Sequence, residues 1–257
     1  MNRPLKIYTA FVYGYLYLPI LILVFFSFNT QKLNLRWQGF TWHWYEVLFQ
    51  DGNLLQAAQN SLLIALVATT ISTIIGTLAA LGLERYAPRG GIVAEALLYL
   101  AIIVPDVVLG IGLLILFAQA GVKTGLNTVI LAHIVLCTPF VALTVRARLQ
   151  GVNQSLEEAA MDLGANPLVT FWRVTLPTIA PGVISGALLA LTLSLDDYVV
   201  TYFTSGPGAT TLPLKIYGMV RFSITPEINA LSTLWIATVF LILLIGQWLG
   251  RKPMLKS

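Results

Sequence analysis

The chain has 257 residues, of which 57% are hydrophobic and only 10% charged, and its mean hydropathy is +0.82. Soluble domains carry about a quarter charged residues, so this composition excludes an ordinary water-soluble protein and specifies an integral membrane one. The formal charge of +4 needs no nucleic acid to explain it, because the flanks of membrane spans are basic on one side anyway.

About 20 consecutive apolar residues cross a bilayer, and six such runs occur, at 7–28, 59–83, 92–118, 127–147, 182–203 and 229–250. In lipid only helices and closed barrels satisfy their own backbone groups. The prediction is an all-α bundle of six transmembrane helices forming a single domain over 1–257. The first run follows Arg3 and Lys6 but ends in FFSFNTQKL without a small-x-small cleavage pattern, and is read as a retained helix rather than a secretory signal. Just beyond it lie Trp37, Phe40, Trp42, Trp44 and Tyr45, which suit interfacial anchoring, contact with a delivery protein, or an aromatic face for a cation.

The third run contains Pro105 followed by Asp106. Proline frees a backbone carbonyl and favours a kink, so the pair predicts a break lining a cavity. The fourth run holds Cys137, read as a small buried hydrophobe, and His133, read as a hydrogen-bonded packing residue. A single cysteine excludes an internal disulfide and a cysteine metal cluster. On the fifth run Gly182, Gly186, Ala190 and Ser194 recur every four residues, a small-residue ridge that admits a neighbouring helix closely. Extending the helix at 100° per residue puts Asp197 within that ridge's sector and Asp196 just beyond its edge. TSGPGATTLPLK, from Thr204 to Lys215, is a Gly/Pro-rich connection that either gates a mouth or simply links spans.

Asp106, Asp196 and Asp197 thus lie within predicted spans, where an acid costs about 2.5–3.5 kcal/mol at the bilayer centre. Each faces water, a partner helix or a cation. One reading is a helix-to-helix hydrogen bond; the other is a cation path, favoured because no Lys or Arg lies deep in any span. Tyr198, beside Asp197, is a candidate aromatic contact for the same cation.

With the amino terminus inside, ten Lys and Arg fall on inside segments, among them Arg85, Arg89, Arg146, Arg148, Arg173, Arg251, Lys252 and Lys256, against five outside. Both termini and the connection 148–181 are then expected in the cytoplasm. That connection is the least apolar part of the chain. Ser155 with Glu158 three residues on is a capping box; Leu156, Ala159, Ala160 and Leu163 share one helical face, with Glu157, Glu158 and Asp162 on the other. Gly164 suits a left-handed helix end. Asn166-Pro167 offers an N-cap and first-turn proline, predicting a second helix of roughly eight residues to Thr175 that Pro177 and Pro181 then stop. Such a hairpin either rests on the membrane surface or nearby loops or docks a partner. A DNA-reading helix-turn-helix is excluded, since PLVTFWRV supplies one Arg and no Asn or Gln for base edges.

Glu158-Ala159-Ala160, then Gly164, then Val174-Thr175-Leu176-Pro177 resembles the EAA loop of the permeases of ABC importers, with Val174 where that family usually has isoleucine. The resemblance implies a type I importer permease fold in the bacterial inner membrane. It also implies a coupling helix built on Glu158, Ala159, Ala160, Asp162, Gly164, Leu176 and Pro177, which seats in a groove of an ATP-binding subunit. The implied partners are a second homologous permease, two ATP-binding subunits and an extracytoplasmic substrate-binding protein. TLSLDDYVV, GPGATTLPLKIYGMV, PEINALSTL and WQGFTWHWY are similar to the second permease subunit of spermidine/putrescine importers. They imply a small cationic substrate meeting Asp106, Asp196, Asp197 and Tyr198. Iron, sulfate or phosphonate permeases share the loop and remain alternatives.

No G-x-x-x-x-G-K-[ST] phosphate loop is present, nor H-E-x-x-H, G-x-S-x-G or a histidine cluster. The chain is therefore read as a non-enzymatic transport subunit without metal or cofactor, working by alternating access with its energy supplied by another subunit. An ion-coupled secondary transporter is the rival, but it predicts inverted internal repeats and none is seen.

Overall fold

In a computed structural model of the protein, residues 3–32, 36–86, 91–221 and 225–250 are described. Arg89, Arg251, Lys252 and Lys256, counted above for orientation, lie outside them. Helices make up the described architecture: α1 (Arg3–Phe26), α2 (His43–Gln50), α3 (Gly52–Leu81), α4 (Gly91–Ile103), α5 (Asp106–Gln119), α6 (Leu126–Leu149), α7 (Ser155–Asp162), α8 (Pro167–Thr170), α9 (Leu176–Asp196), α10 (Val199–Thr204), α11 (Leu212–Val220) and α12 (Pro226–Gly250). Five helical stretches are long and apolar enough to cross a membrane, or six when the bent pair α4 and α5 counts as one.

The centre is a trio of α3, α6 and α9. Its closeness is set by small residues. A Cβ added at Gly76 of α3 would lie 2.7 Å from Val141 Cβ of α6, and one at Gly186 of α9 would lie 3.3 Å from Val141 Cγ1. Gly182 likewise leaves room for Arg148. The ridge read from the sequence is therefore the face against which α6 packs, with Ala190 and Cys137 wholly buried at the same seam. At the end of the bundle away from α7, the aromatic residues after α1 pack as a cluster: Phe28 stacks on Phe40 at 5.0 Å and meets Trp42 at 4.9 Å, while Trp44 Nε1 donates to the Asn29 carbonyl at 2.7 Å. Tyr45 joins them and hydrogen-bonds Ser27 at 2.7 Å.

Three expectations are corrected. The fifth run is not one helix to residue 203: α9 ends at Asp196, Asp197 is extended (φ −65, ψ 125) and α10 starts afresh at Val199. The second hairpin helix is not stopped by Pro177 or Pro181, since α8, a five-residue π-helical stretch (Phe171–Thr175) and α9 run on as one helical body. The π stretch lies directly ahead of Pro177, and the wider i to i−5 bond from Leu176 N–H to the Phe171 carbonyl makes room for a residue that cannot donate. Finally, the Ser155/Glu158 capping box does not form. Asn153 Oδ1 instead accepts from Ser155 N–H at 3.0 Å, and Gln154 is the N-cap.

Other expectations hold. Gly164 adopts φ +93, the left-handed conformation that suits glycine at a helix end. Asn166 Oδ1 caps the next helix through Val169 N–H at 2.9 Å, with Pro167 in its first turn. At Pro105 the third span breaks into α4 and α5 at 107°.

Candidate functional site

The four residues expected on a substrate path fall into different surroundings. Asp106 opens α5 directly after Pro105 and is exposed. Asp196, last residue of α9, is also exposed and lies on a cavity of about 430 Å³ between α9 and α12, with Thr192, Leu193, Trp235 and Phe240 among its walls. Among the described residues neither has a basic partner within ion-pair distance.

Asp197 points the other way. Its side chain is 5% exposed, and its oxygens accept from Val200 N–H (3.2 Å), Thr201 N–H (2.8 Å) and the Thr201 hydroxyl (2.7 Å). The carboxylate thereby caps α10, where the free N–H groups of a helix start favour negative charge. His133, on α6, completes the cluster: Nε2 lies 2.9 Å from Thr201 Oγ1 and 3.3 Å from Asp197 Oδ2, and Nδ1 lies 2.7 Å from Ser194 Oγ. Because the Thr201 hydroxyl hydrogen is spent on Asp197, Nε2 carries the proton it shares with Thr201, and a neutral ring then accepts from Ser194 at Nδ1. The internal partner of this acid is thus a histidine, a residue type set aside when only Lys and Arg were sought.

Tyr198 turns away from Asp197. It packs on Tyr217 with centroids 4.3 Å apart and, with Tyr202, Ser205 and Arg221, lines a cavity of about 560 Å³. The connection after α10 is folded in rather than loose. Asn60 Nδ2 donates to the Gly208 and Thr210 carbonyls at 2.8 and 2.9 Å, Leu212 N–H donates to Ser61 Oγ at 2.8 Å, and the Thr128 hydroxyl lies 2.8 Å from the Thr204 carbonyl. A Cβ at Gly206 would run into the Thr124 carbonyl.

At the other end, the hairpin α7–α8 leaves its apolar face open and departs from the expected pattern at Glu157. Leu156 and Leu163, on the supposed packing face, are exposed, Leu163 at 90%. Leu168 and Trp172 are exposed as well. Glu157, expected to face solvent, turns inward to Arg85 (Nε–Oε2 3.3 Å) and accepts from the Thr175 hydroxyl at 3.1 Å. Glu158, Ala159, Asp162 and Gly164 are exposed and Ala160 half-buried; Leu176 and Pro177 begin α9. Between the hairpin and the end of α3 lies an apolar cavity of about 450 Å³, walled by Leu78, Leu81, Met161, Phe171 and Trp172 among others. Two contributors escaped the reading of the sequence: Glu157 was assigned to the wrong face, and Glu95, an acid inside the third run, was not weighed at all. Glu95 Oε1 meets Arg146 Nη1 at 2.9 Å.

Residues 72–251 match the family model described as "Binding-protein-dependent transport system inner membrane component". The spermidine/putrescine transport system permease protein PotC of Haemophilus influenzae is 43% identical over 94% of this chain and 94% of its own length. The putrescine transport system permease protein PotI of Escherichia coli is 44% identical, covering 93% and 88% respectively. Among solved structures, a bacterial ABC transporter involved in import of the acidic polysaccharide alginate superposes with a TM-score of 0.74 at 18% identity, covering 96% of this chain and 98% of that one; at that identity the likeness concerns the fold alone.

Proposed function

The chain belongs to the family of inner membrane components of binding-protein-dependent transport systems, and we propose that it is the permease subunit through which an ATP-driven importer moves polyamines such as spermidine and putrescine. The observation that carries this reading is 43–44% identity to two polyamine permeases along nearly the whole chain. The acids support it: Asp106 and Asp196 are exposed carboxylates without basic partners among the described residues, a setting that favours ammonium groups and repels anions. Asp197 contributes by holding the break between α9 and α10.

In this reading the whole chain is one permease domain with both termini in the cytoplasm. It works with a second permease, two ATP-binding subunits and an extracytoplasmic binding protein, and hydrolysis takes place in the ATP-binding subunits. The hairpin faces the cytoplasm and presents Leu163, Leu168 and Trp172 beside Glu158 and Asp162, so that apolar knobs enter a groove of the ATP-binding subunit while the acids meet its basic rim. Closure of the two ATP-binding subunits then displaces the hairpin. Because α8, the π stretch and α9 form one helical body, the displacement reaches Asp196 at the far end of α9. Alternating access follows from that tilt.

The test is uptake of labelled spermidine, putrescine and an anionic control by the assembled complex in proteoliposomes with ATP inside. ATP-dependent polyamine uptake that falls at least tenfold in Asp106→Asn or Asp196→Asn, a loss of about 1.4 kcal/mol, is expected. Equal uptake of the anion, or full polyamine uptake by both variants, overturns the cation path.

A further inference from the structure

Beyond docking, the hairpin is tied to the bundle by a chain of charged groups that runs from α7 to the bent third span. At the end of α3 the helix widens into a π-helical stretch, Gly82–Tyr86, an irregularity that recurs at functional positions. It sets two neighbouring charges, Glu84 and Arg85, toward different elements. Arg85 faces α7: its Nε lies 3.3 Å from Glu157 Oε2 and its Nη2 donates to Glu157 Oε1 at 3.4 Å. The two side chains are 9% and 14% exposed, so solvent screens them little. Glu84 faces α6, where Oε2 accepts from Arg146 Nε at 3.1 Å. Arg146 also holds Glu95 of α4 at 2.9 Å. From the hairpin the order is Glu157, Arg85, Glu84, Arg146, Glu95. The last stands on the helix whose far end is the Pro105–Asp106 break.

We propose that Glu157 and Arg85 are positioning residues that transmit hairpin displacement to α3 and, through Glu84, Arg146 and Glu95, to α4, so that the Asp106 break moves together with α9. This rests on the importer reading given above. The covalent route through α9 ends at Asp196; the charged route runs to α4, which leads into the Pro105–Asp106 break. Burial leaves the Arg85–Glu157 pair little screened and turned toward the bundle, whereas Glu158 on the same helix is exposed and open to a partner.

The experiment uses the complete complex, purified with its ATP-binding subunits and reconstituted with ATP inside, comparing Glu157→Gln, Arg85→Gln and the exchange Arg85→Glu/Glu157→Arg. Each single variant is expected to retain the ATP-binding subunits and at least half of the hydrolysis rate while uptake per ATP falls about tenfold, in the range typical of site-to-site coupling. The exchange is expected to recover most of that ratio, which a purely structural loss does not predict. Uptake per ATP within twofold of the parent in both single variants overturns the proposal. So does a parallel loss of hydrolysis and ATP-binding subunit, which would make the pair part of the docking surface. A parent complex that takes up no polyamine with ATP overturns the importer reading itself, a result distinct from either.

Discussion

Two connections of this molecule invite comparison, the Asp197–Thr211 segment after α9 and the Ser155–Thr175 hairpin before it. By sequence the part of the first from Thr204 on is the loose one, rich in Gly and Pro, and the second the ordered one, with helix caps and a two-faced pattern. In the structure the roles are exchanged. The Gly/Pro stretch is secured to α3 and α6 through Asn60, Ser61 and Thr128, α10 ahead of it is held by His133, and Ala209 is wholly buried. The hairpin turns large apolar side chains outward. Glycine-rich backbone fits into narrow spaces that a Cβ would close, so composition that reads as slack becomes the means of tight packing. Apolar residues left exposed on a short helix mark a surface built for contact.

The comparison breaks if the secured segment tolerates substitution as well as the hairpin does. The largest effect is expected at His133→Leu. Removing the ring that hydrogen-bonds Thr201 and Ser194 beside the buried Asp197 carboxylate should lower stability by about 3 kcal/mol, read from denaturation of the detergent-solubilised protein; an unchanged midpoint would show that Thr201 and the α10 amides suffice. Gly206→Ala comes next, at about 2 kcal/mol, because its methyl meets the Thr124 carbonyl, and the same measurement checks it. Asn60→Ala leaves the Gly208 and Thr210 carbonyls without their donor, for about 1.5 kcal/mol. A concurrent rise in amide exchange limited to 206–212 would sharpen the contrast. The smallest stability change, within about 0.5 kcal/mol, is expected for Leu163→Ser on the hairpin. There the effect should appear instead as loss of the ATP-binding subunit in co-purification, and retention of that subunit would count against the docking role.

Much of this was legible from residue order. Apolar runs marked the spans, the four-residue spacing of Gly182, Gly186, Ala190 and Ser194 marked the face that meets α6, and Pro105 marked the bend. Gly164 and Asn166-Pro167 likewise announced the hairpin's turn, because these signals act through the chain's own local geometry. What escaped depended on neighbours remote in sequence. Helical periodicity alone put Glu157 among the solvent-facing acids, since Arg85 is 72 positions away. The end of α9 at Asp196 was hidden because the apolar run continues through Val200. A distant histidine, together with the Thr201 hydroxyl and the first amides of α10, makes it favourable for Asp197 to leave the helix and cap another. The capping box failed for a smaller reason: Asn153, two residues earlier, offers the shorter route to the same amide.

Val141 sits between Gly76 on one neighbour and Gly186 on the other, like a key held in two wards at once. A side chain seated in paired notches resists any slip along the axis shorter than a full turn of about 5.4 Å. Along their axes, α3 and α9 are therefore each held against sliding past α6. Whatever reshaping the molecule undergoes has to be absorbed at its joints: the corner at Pro105, the gap at Asp197 and the two widened coils at Gly82–Tyr86 and Phe171–Thr175.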